Sequence, residues 1–292
     1  MKRIIYFSII LWVVLMTGCI KEDLASCDTN LVFRYFGDGT KDIFPEKIEK
    51  VDLYVYGENG ALVQTIGLDQ GDLRRVQGTP LNLPAGKYRI ICWGNSRNDT
   101  RIDQASTLNT ALVAAPHYFT KELITTNDSL YIGSRDIEIF QDNSSEDTVY
   151  FSSSHIKMYI ELTGLEEAAL ADGTSPIDIE IGNLSPTVDF AKTFSSENVS
   201  YRPVARKEEY LPAFDTKFNV LRFNDENGIY INLIRKETNK TIYTLKLKDF
   251  MQDNRITVNG INEVTVGIRF RFNGTSVTVK PWDEEVIIPG LG

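Results

Sequence analysis

Strict alternation of apolar and polar residues is the feature that most constrains the fold of this chain of 292 residues. In the clearest instance, every second position is apolar: Val264, Val266, Ile268, Phe270 and Phe272. A period of two places these side chains on one face of a β-strand, because successive side chains point to opposite faces. The pattern therefore predicts a half-buried strand.

The same alternation recurs along the chain, in these segments: 51–56, 87–93, 156–162, 177–181 and 229–233. Asn59-Gly60 and Asn273-Gly274 predict hairpin turns, because both residue types tolerate positive φ. Residues 95–126 lose the period and predict a loop with a short helix. Since no long amphipathic helix separates the strands, we expect an all-β chain built of antiparallel β-sandwiches.

A run of seven polar residues, 141–147, is the best linker in the sequence and predicts a domain boundary near residue 148. We expect two tandem antiparallel sandwiches of ordinary domain size. The predicted organisation has four parts: 1–18 a signal peptide, 19–28 a tether, 29–148 the N-terminal sandwich, and 149–292 the C-terminal sandwich.

The first residues form an export signal. Lys2 and Arg3 precede an apolar run from Ile4 to Met16. As a helix this run would span about 20 Å, short of the roughly 30 Å hydrocarbon core of a membrane. It therefore predicts a secretion signal, not a membrane span.

The end of the signal resembles a bacterial lipobox. Residues 15–19 read LMTGC, which predicts cleavage between Gly18 and Cys19 and acylation of Cys19. Several acyl chains would anchor the protein firmly. The following residues 21–23 (KED) resemble the surface-export signal of Bacteroidetes lipoproteins. A plain signal peptide with an incidental cysteine, followed by a solvated linker, is the alternative.

Two cysteines remain once Cys19 carries lipid. Outside the cytoplasm Cys27 and Cys92 are candidates for one disulfide, with two buried free thiols as the alternative. The triplets 128–130 and 147–149 resemble the short O-glycan acceptor motif of Bacteroidetes secreted proteins, which predicts glycans on Ser129 and Thr148.

Composition and motifs argue against several function classes. The net charge of −9 makes nucleic acid a poor partner, because a phosphate-binding surface needs clustered positive charge. We find no nucleophile elbow, P-loop, zinc-protease or dinucleotide motif. His117 and His155 form no metal-ligand spacing and are expected to be surface or hydrogen-bonded histidines. We therefore predict a protein that is not an enzyme, with neither metal nor cofactor.

Three segments of the first hundred residues carry a family resemblance: Cys19–Cys27 (CIKEDLASC), Val51–Gly60 (VDLYVYGENG) and Leu83–Asn95 (LPAGKYRIICWGN). Together they resemble the fimbrillin-associated anchor proteins of the Bacteroidales, which hold type V pili at the outer membrane. The second half matches that family only in pattern, through a terminal Val277-Thr278-Val279 and Trp282.

The resemblance implies two β-sandwiches with transthyretin-like topology in a palmitoylated lipoprotein that is surface-exposed on the outer membrane. It also implies a non-catalytic role, in which the protein anchors a fimbrial shaft and limits its length. Fimbrillin shaft subunits would bind by strand addition, in which backbone hydrogen bonds give affinity and side-chain pockets set the register.

Two other functions remain open. A surface glycan-binding lipoprotein of a polysaccharide-utilisation system would present exposed tryptophans and tyrosines, yet only Trp93 and Trp282 remain after the signal is removed. A shaft or tip pilin of the same superfamily would be processed at an internal arginine after export, or would lose its lipid.

Overall fold

The computed structural model describes residues 28–140, 145–165, 169–274 and 276–281. The strands of the first half are β1 (Asp28–Arg34), β2 (Val51–Gly57), β3 (Leu62–Leu68), β4 (Gly78–Asn82), β5 (Gly86–Gly94), β6 (Arg101–Asp103), β7 (Leu112–Ala114), β8 (Tyr131–Ile139) and β9 (Ser145–Ser153). Those of the second half are β10 (His155–Thr163), β11 (Ile177–Leu184), β12 (Thr187–Asp189), β13 (Val199–Tyr201), β14 (Arg206–Lys207), β15 (Ala213–Leu221), β16 (Tyr230–Arg235), β17 (Lys240–Lys246), β18 (Thr265–Asn273) and β19 (Ser276–Pro281). Strands dominate these segments, which confirms the all-β prediction.

Helices are few and short in the same segments. They are α1 (Phe44–Lys47), α2 (Gln70–Arg75), α3 (Pro116–Thr120) and α4 (Leu247–Asp253). In α2, the Asp69 side chain accepts a hydrogen bond from the Asp72 backbone N–H, and the Asp72 carboxylate accepts one from the Asp69 backbone N–H. This reciprocal cap stabilises a helix of only six residues.

The strands form four sheets in the described part of the chain. One has seven strands in the order β3-β2-β5-β8-β9-β1-β4, and two further sheets follow the orders β14-β15-β10-β18-β19 and β13-β11-β16-β17. The fourth, β12-β7-β6, contains strands from both halves. The two halves of the sequence are therefore joined by backbone pairing.

The same strand path occurs in both halves. The neighbours β4-β1-β9 of the first half correspond in chain order to β15-β10-β18 of the second, and β3-β2-β5-β8 corresponds to β13-β11-β16-β17. In each half the first strand pairs antiparallel on one side and parallel on the other. The sequence predicted only antiparallel pairing, because a period of two fixes which face a side chain occupies but not the direction of the neighbouring strand.

The predicted boundary near residue 148 lies inside β9, which pairs with β1 and β8. Its polar start can join a sheet because Asp147 Oδ1 accepts a hydrogen bond of 3.0 Å from Arg135 Nε on β8. The chain leaves the first sheet only between Ser153 and His155. Residues 141–144 lie outside the described residues, as do the signal peptide, Cys19, Cys27 and the tail after 281.

Apolar side chains form a core in each half and a third cluster between the halves. The third cluster combines Trp93 and Ile132 from the first half with Phe190 and Leu221 from the second. The ring of Phe190 lies 5.8 Å from that of Trp93, centroid to centroid. Burial of these large side chains removes apolar surface of both halves from water and so favours their association.

A half-buried carboxylate adds a polar junction between the halves. Glu263, which precedes β18, accepts hydrogen bonds from the Tyr35 hydroxyl at 2.7 Å, the Tyr131 hydroxyl at 3.0 Å and Lys47 Nζ at 2.6 Å, and Lys157 Nζ lies 3.3 Å away. Burial alone would raise the pKa of this carboxyl. The hydrogen bonds from Lys47 and Tyr35 and the charge of Lys157 outweigh burial and lower the pKa to about 2.

Neighbouring groups extend this junction. The backbone N–H groups of Asn262 and Glu263 donate to the Asp38 carboxylate at 2.7 and 2.8 Å. The Asn262 side chain donates to the Gly37 carbonyl at 3.0 Å and accepts from the Ser153 N–H at 3.1 Å. The loop before β18 is therefore fixed to the first half by both its backbone and its side chains.

We predict that Glu263→Gln lowers the free energy of unfolding by about 2 kcal/mol at pH 7, since charge-assisted hydrogen bonds are lost. The folded-state pKa is depressed, so this contribution is present above the ordinary value of 4.5 and is lost as pH falls toward 2. Denaturant unfolding at several pH values measures it.

The matched control is Glu237→Gln, at an exposed glutamate in the turn between β16 and β17, expected to change stability by less than about 0.5 kcal/mol. A wild-type-to-variant difference at Glu263 that stays constant from pH 7 to pH 2.5 would contradict the assignment.

Candidate functional site

The edge strands are the candidate site, because an edge strand offers unpaired backbone N–H and C=O groups to another chain. Several edges are obstructed. β14 has two residues, both charged, and β4 contains Pro80, which has no N–H to donate. β13 has three residues and is bridged through Tyr201 to Ile124. At the start of β3, the Leu62 N–H donates to the Ser106 carbonyl.

The edges β17 and β19 are different, although β3 also has seven residues and is covered only at its start. They have seven and six residues, and nothing in the described part of the chain pairs with their outer sides. A cavity of about 560 Å³ lies along β17 and α4, lined by Tyr243, Leu245 and Phe250 among others, and Val279 of β19 borders it. We call the two edges with this cavity the open seam.

Comparison of the two halves explains why the seam is open. In the first half, β8 and β9 pair with each other from Tyr131↔Ser153 to Gly133↔Phe151 and so join the two layers. In the second half, the corresponding strands β17 and β18 are not paired, because β19 occupies the position next to β18. The second half therefore ends in two separate edges.

Along β19, half-buried apolar side chains alternate with exposed polar ones, so one face of the strand packs on the core and the other faces solvent. Val277 and Val279 are half-buried against the core of the second half, while Ser276, Thr278 and Lys280 are exposed. The sequence predicted this hairpin from Asn273-Gly274, and the pairing of Asn273 with Ser276 confirms it. The sequence did not show which strands lie at edges, because edge position depends on the order of strands in space and has no local sequence signal.

The predicted O-glycan acceptors lie apart. Ser129 is half-buried just before β8, and its carbonyl accepts a long hydrogen bond of 3.4 Å from Asn95. Thr148 is half-buried within β9 and lies opposite Val32 of β1. Neither residue lies in the seam, and their glycosylation stays a prediction.

The histidines form no catalytic constellation. His155 is buried, and its Nδ1 lies 2.9 Å from the Leu130 carbonyl. Burial lowers its pKa to about 4, so the ring is neutral at pH 7. His117 Nδ1 lies 2.9 Å from the Leu123 carbonyl. Within the described ranges, no group of three or more acidic, cysteine or histidine side chains is placed to hold a metal ion. The helices of those ranges include none long and apolar enough to cross a membrane.

A sequence profile of the fimbrillin-A associated anchor proteins Mfa1 and Mfa2 matches residues 24–287. The chain belongs to this family. Among curated protein sequences none matches it. The profile extends over both halves, whereas the sequence resemblance rested mainly on the first hundred residues.

Solved structures agree with this anchor-family assignment in fold. The fimbrial anchor protein Mfa2 of Porphyromonas gingivalis is 13% identical, with a TM-score of 0.63 over 88% of this chain and 97% of that one. A candidate polysaccharide-binding protein of Bacteroides thetaiotaomicron is 16% identical, with a TM-score of 0.66 over 89% of this chain and 99% of that one. A candidate adhesin of the same species is also 16% identical, with a TM-score of 0.67 over 89% of this chain and 97% of that one.

In this anchor-family protein, Cys92 is fully buried and forms no disulfide with any described residue, and burial raises its pKa. Across the sheet, Cys92 on β5 pairs with Gly133 on β8, and Gly133 pairs with Phe151 on β9. The preceding residue of β9, Tyr150, pairs with Arg34, so Cys92 lies level with the end of β1. Asp28 is six residues away along β1, about 20 Å at strand spacing.

Because bonded cysteines need Cα atoms within about 7 Å, this register disfavours the predicted bridge. Cys27 itself lies outside the described residues, so the pairing remains untested.

We predict that Cys92 resists alkylation by iodoacetamide in the native protein and reacts promptly after unfolding, because its thiol is buried and protonated. Mass-spectrometric peptide mapping before and after denaturation gives the modified fraction. Recovery of a linked Cys27–Cys92 peptide from a non-reducing digest would contradict this prediction and support the disulfide.

Proposed function

We propose that this chain is a non-catalytic outer-membrane lipoprotein that anchors the shaft of a type V pilus and helps to limit its length. The observation that carries the proposal is membership of the fimbrial anchor family over residues 24–287. The open seam supports it, since an anchor needs a surface that a subunit of the shaft can occupy.

The position of β1 supports a lipid tether at one end of the molecule. Tyr35, just after β1, contacts Glu263 at the junction of the halves. Asp28 begins the same strand at its other end, paired with Asn82. A lipid on Cys19 would therefore join the first half at the end away from the second half. Such a tether leaves the second half directed away from the membrane.

The seam supplies the pilin end of the proposed anchor. A strand of a fimbrillin would pair with the outer side of β19 or β17, and its apolar side chains would enter the cavity beside Tyr243 and Val279. A lipid on Cys19 would hold the other end of the molecule against the membrane, where a further subunit could not add. In this arrangement growth of the shaft stops at the membrane, which accounts for the limit on length.

The glycan-binding alternative finds no exposed tryptophan among the described residues. Trp93 is fully buried in the cluster between the halves, and Trp282 lies outside the described residues. Three aromatic side chains are exposed in the described ranges, Phe140, Tyr150 and Tyr210, and they lie at the end of β8, on β9 and on the loop before β15. Saccharide contacts would have to use other groups.

We predict that Cys19→Ser moves the protein from the detergent phase to the aqueous phase, because the acceptor of the acyl chains is removed. Detergent-phase partitioning of whole-cell extracts and metabolic labelling with a fatty-acid analogue measure the change. Cys27→Ser is the matched control and should stay in the detergent phase. Unchanged partitioning of Cys19→Ser would refute the tether.

We also predict that a photo-crosslinking residue at Thr278 on β19 or Thr244 on β17 captures a fimbrillin subunit in piliated cells. Both side chains are exposed beside the open seam. The same residue at exposed Thr65 on β3 of the first half is the control. Mass spectrometry identifies the adduct. Fimbrillin adducts at Thr65 alone would move the docking site to the first half, and adducts at none would refute anchoring by an edge.

A further inference from the structure

A polar groove lies in the second half, next to the sheet that joins the halves. Its volume is about 480 Å³, and three segments line it: 183–185 at the end of β11, 194–198 before β13, and 222–229 between β15 and β16. It shares no lining residue with the open seam. The groove is thus a feature separate from the proposed pilin site.

Side-chain hydrogen bonds hold the three segments together. Asn183 Nδ2 donates to the Gly228 carbonyl at 3.0 Å, and the Ser185 hydroxyl donates to the Ser195 carbonyl at 2.9 Å. Asn227 Nδ2 donates to the Asn224 carbonyl at 3.0 Å. Because these bonds fix the walls in advance, a ligand would not have to order them.

The charged groups of the lining are already paired. The Arg222 guanidinium donates to backbone carbonyls of the loop before β18, including that of Val258 at 2.8 Å. The Glu226 carboxylate accepts from Lys248. An anionic ligand would need an unpaired cation, and the groove offers none among its described lining residues.

The groove offers neutral polar groups to a ligand. The side chains of Asn198, Asn224 and Ser196 are exposed and have no hydrogen-bond partner within the described residues. An amide both donates and accepts, as does a hydroxyl group. Such groups match a ligand that carries many hydroxyls and no charge.

Two aromatic side chains complete the lining. Phe194 packs on the cluster between the halves and Phe223 on the core of the second half, and both are half-buried. Their remaining surface is apolar and rigidly held. A sugar ring offers the complementary combination, since one face carries C–H groups and its rim carries hydroxyls.

We propose that this groove binds a neutral saccharide, with Asn198 and Asn224 as hydrogen-bonding residues and Phe194 and Phe223 as the apolar surface. The volume lies within the usual 300–1,000 Å³ of small-ligand sites. This activity would be additional to anchoring and does not depend on it.

The test uses the mature chain and a panel of neutral hexasaccharides: maltohexaose, cellohexaose, mannohexaose and xylohexaose. Oligogalacturonate of the same length is the charged comparison. Isothermal titration calorimetry should show binding of at least one neutral oligosaccharide at about millimolar Kd or tighter. Loss of two hydrogen bonds in Asn198→Ala/Asn224→Ala should weaken it about tenfold or more.

The control is Asn98→Ala/Asn109→Ala, at two exposed asparagines of the first half, which should bind as the wild type does. NMR shifts induced by the sugar should map to the three lining segments. No binding by the wild type, preference for oligogalacturonate, or equal binding by both double variants would overturn the proposal. Each of these results leaves crosslinking at Thr278 unaffected, so the two proposals can fail separately.

Discussion

The ionised carboxylate of Glu263 holds the two halves of the molecule in a fixed relation. It is the shared acceptor for groups on α1, β8 and the loop after β1 in the first half and on β10 in the second. Trp93 and Phe190 also pack together in the apolar cluster between the halves. The position of the open seam relative to the start of β1 depends on both contacts.

The alternation of apolar and polar residues was sufficient to predict a strand that packs one face on a single core. The alternation from Val264 to Phe272 became β18, and residues 177–181 lie within β11. It failed where pairing partners decide the outcome. The polar start of β9 could not be recognised as strand, because its stability comes from Arg135 on β8 and from β1. In the aperiodic stretch 95–126, the expected short helix is α3, but β6 and β7 are too short to show a period.

The candidate site was less predictable than the fold for a related reason. The hairpin at Asn273 is a local signal, yet the importance of β19 lies in what it displaces. By lying beside β18 it keeps β17 from closing the sandwich as β8 and β9 do in the first half. Only the comparison of two repeated strand paths reveals the difference. Strand order thus supports the proposed docking at that side.

The pairing of β1 would have a mechanical consequence in the proposed anchor, which joins a membrane to a long fibre. Tension applied at Asp28 would pull along the axis of β1, which is hydrogen-bonded to β4 on one side and to β9 on the other. All rungs of both ladders then resist together in shear, whereas a strand peeled from an edge loses its hydrogen bonds one at a time. In the proposed anchor, the position of the first strand between two neighbours would make the attachment resistant to flow and to drag on the fibre.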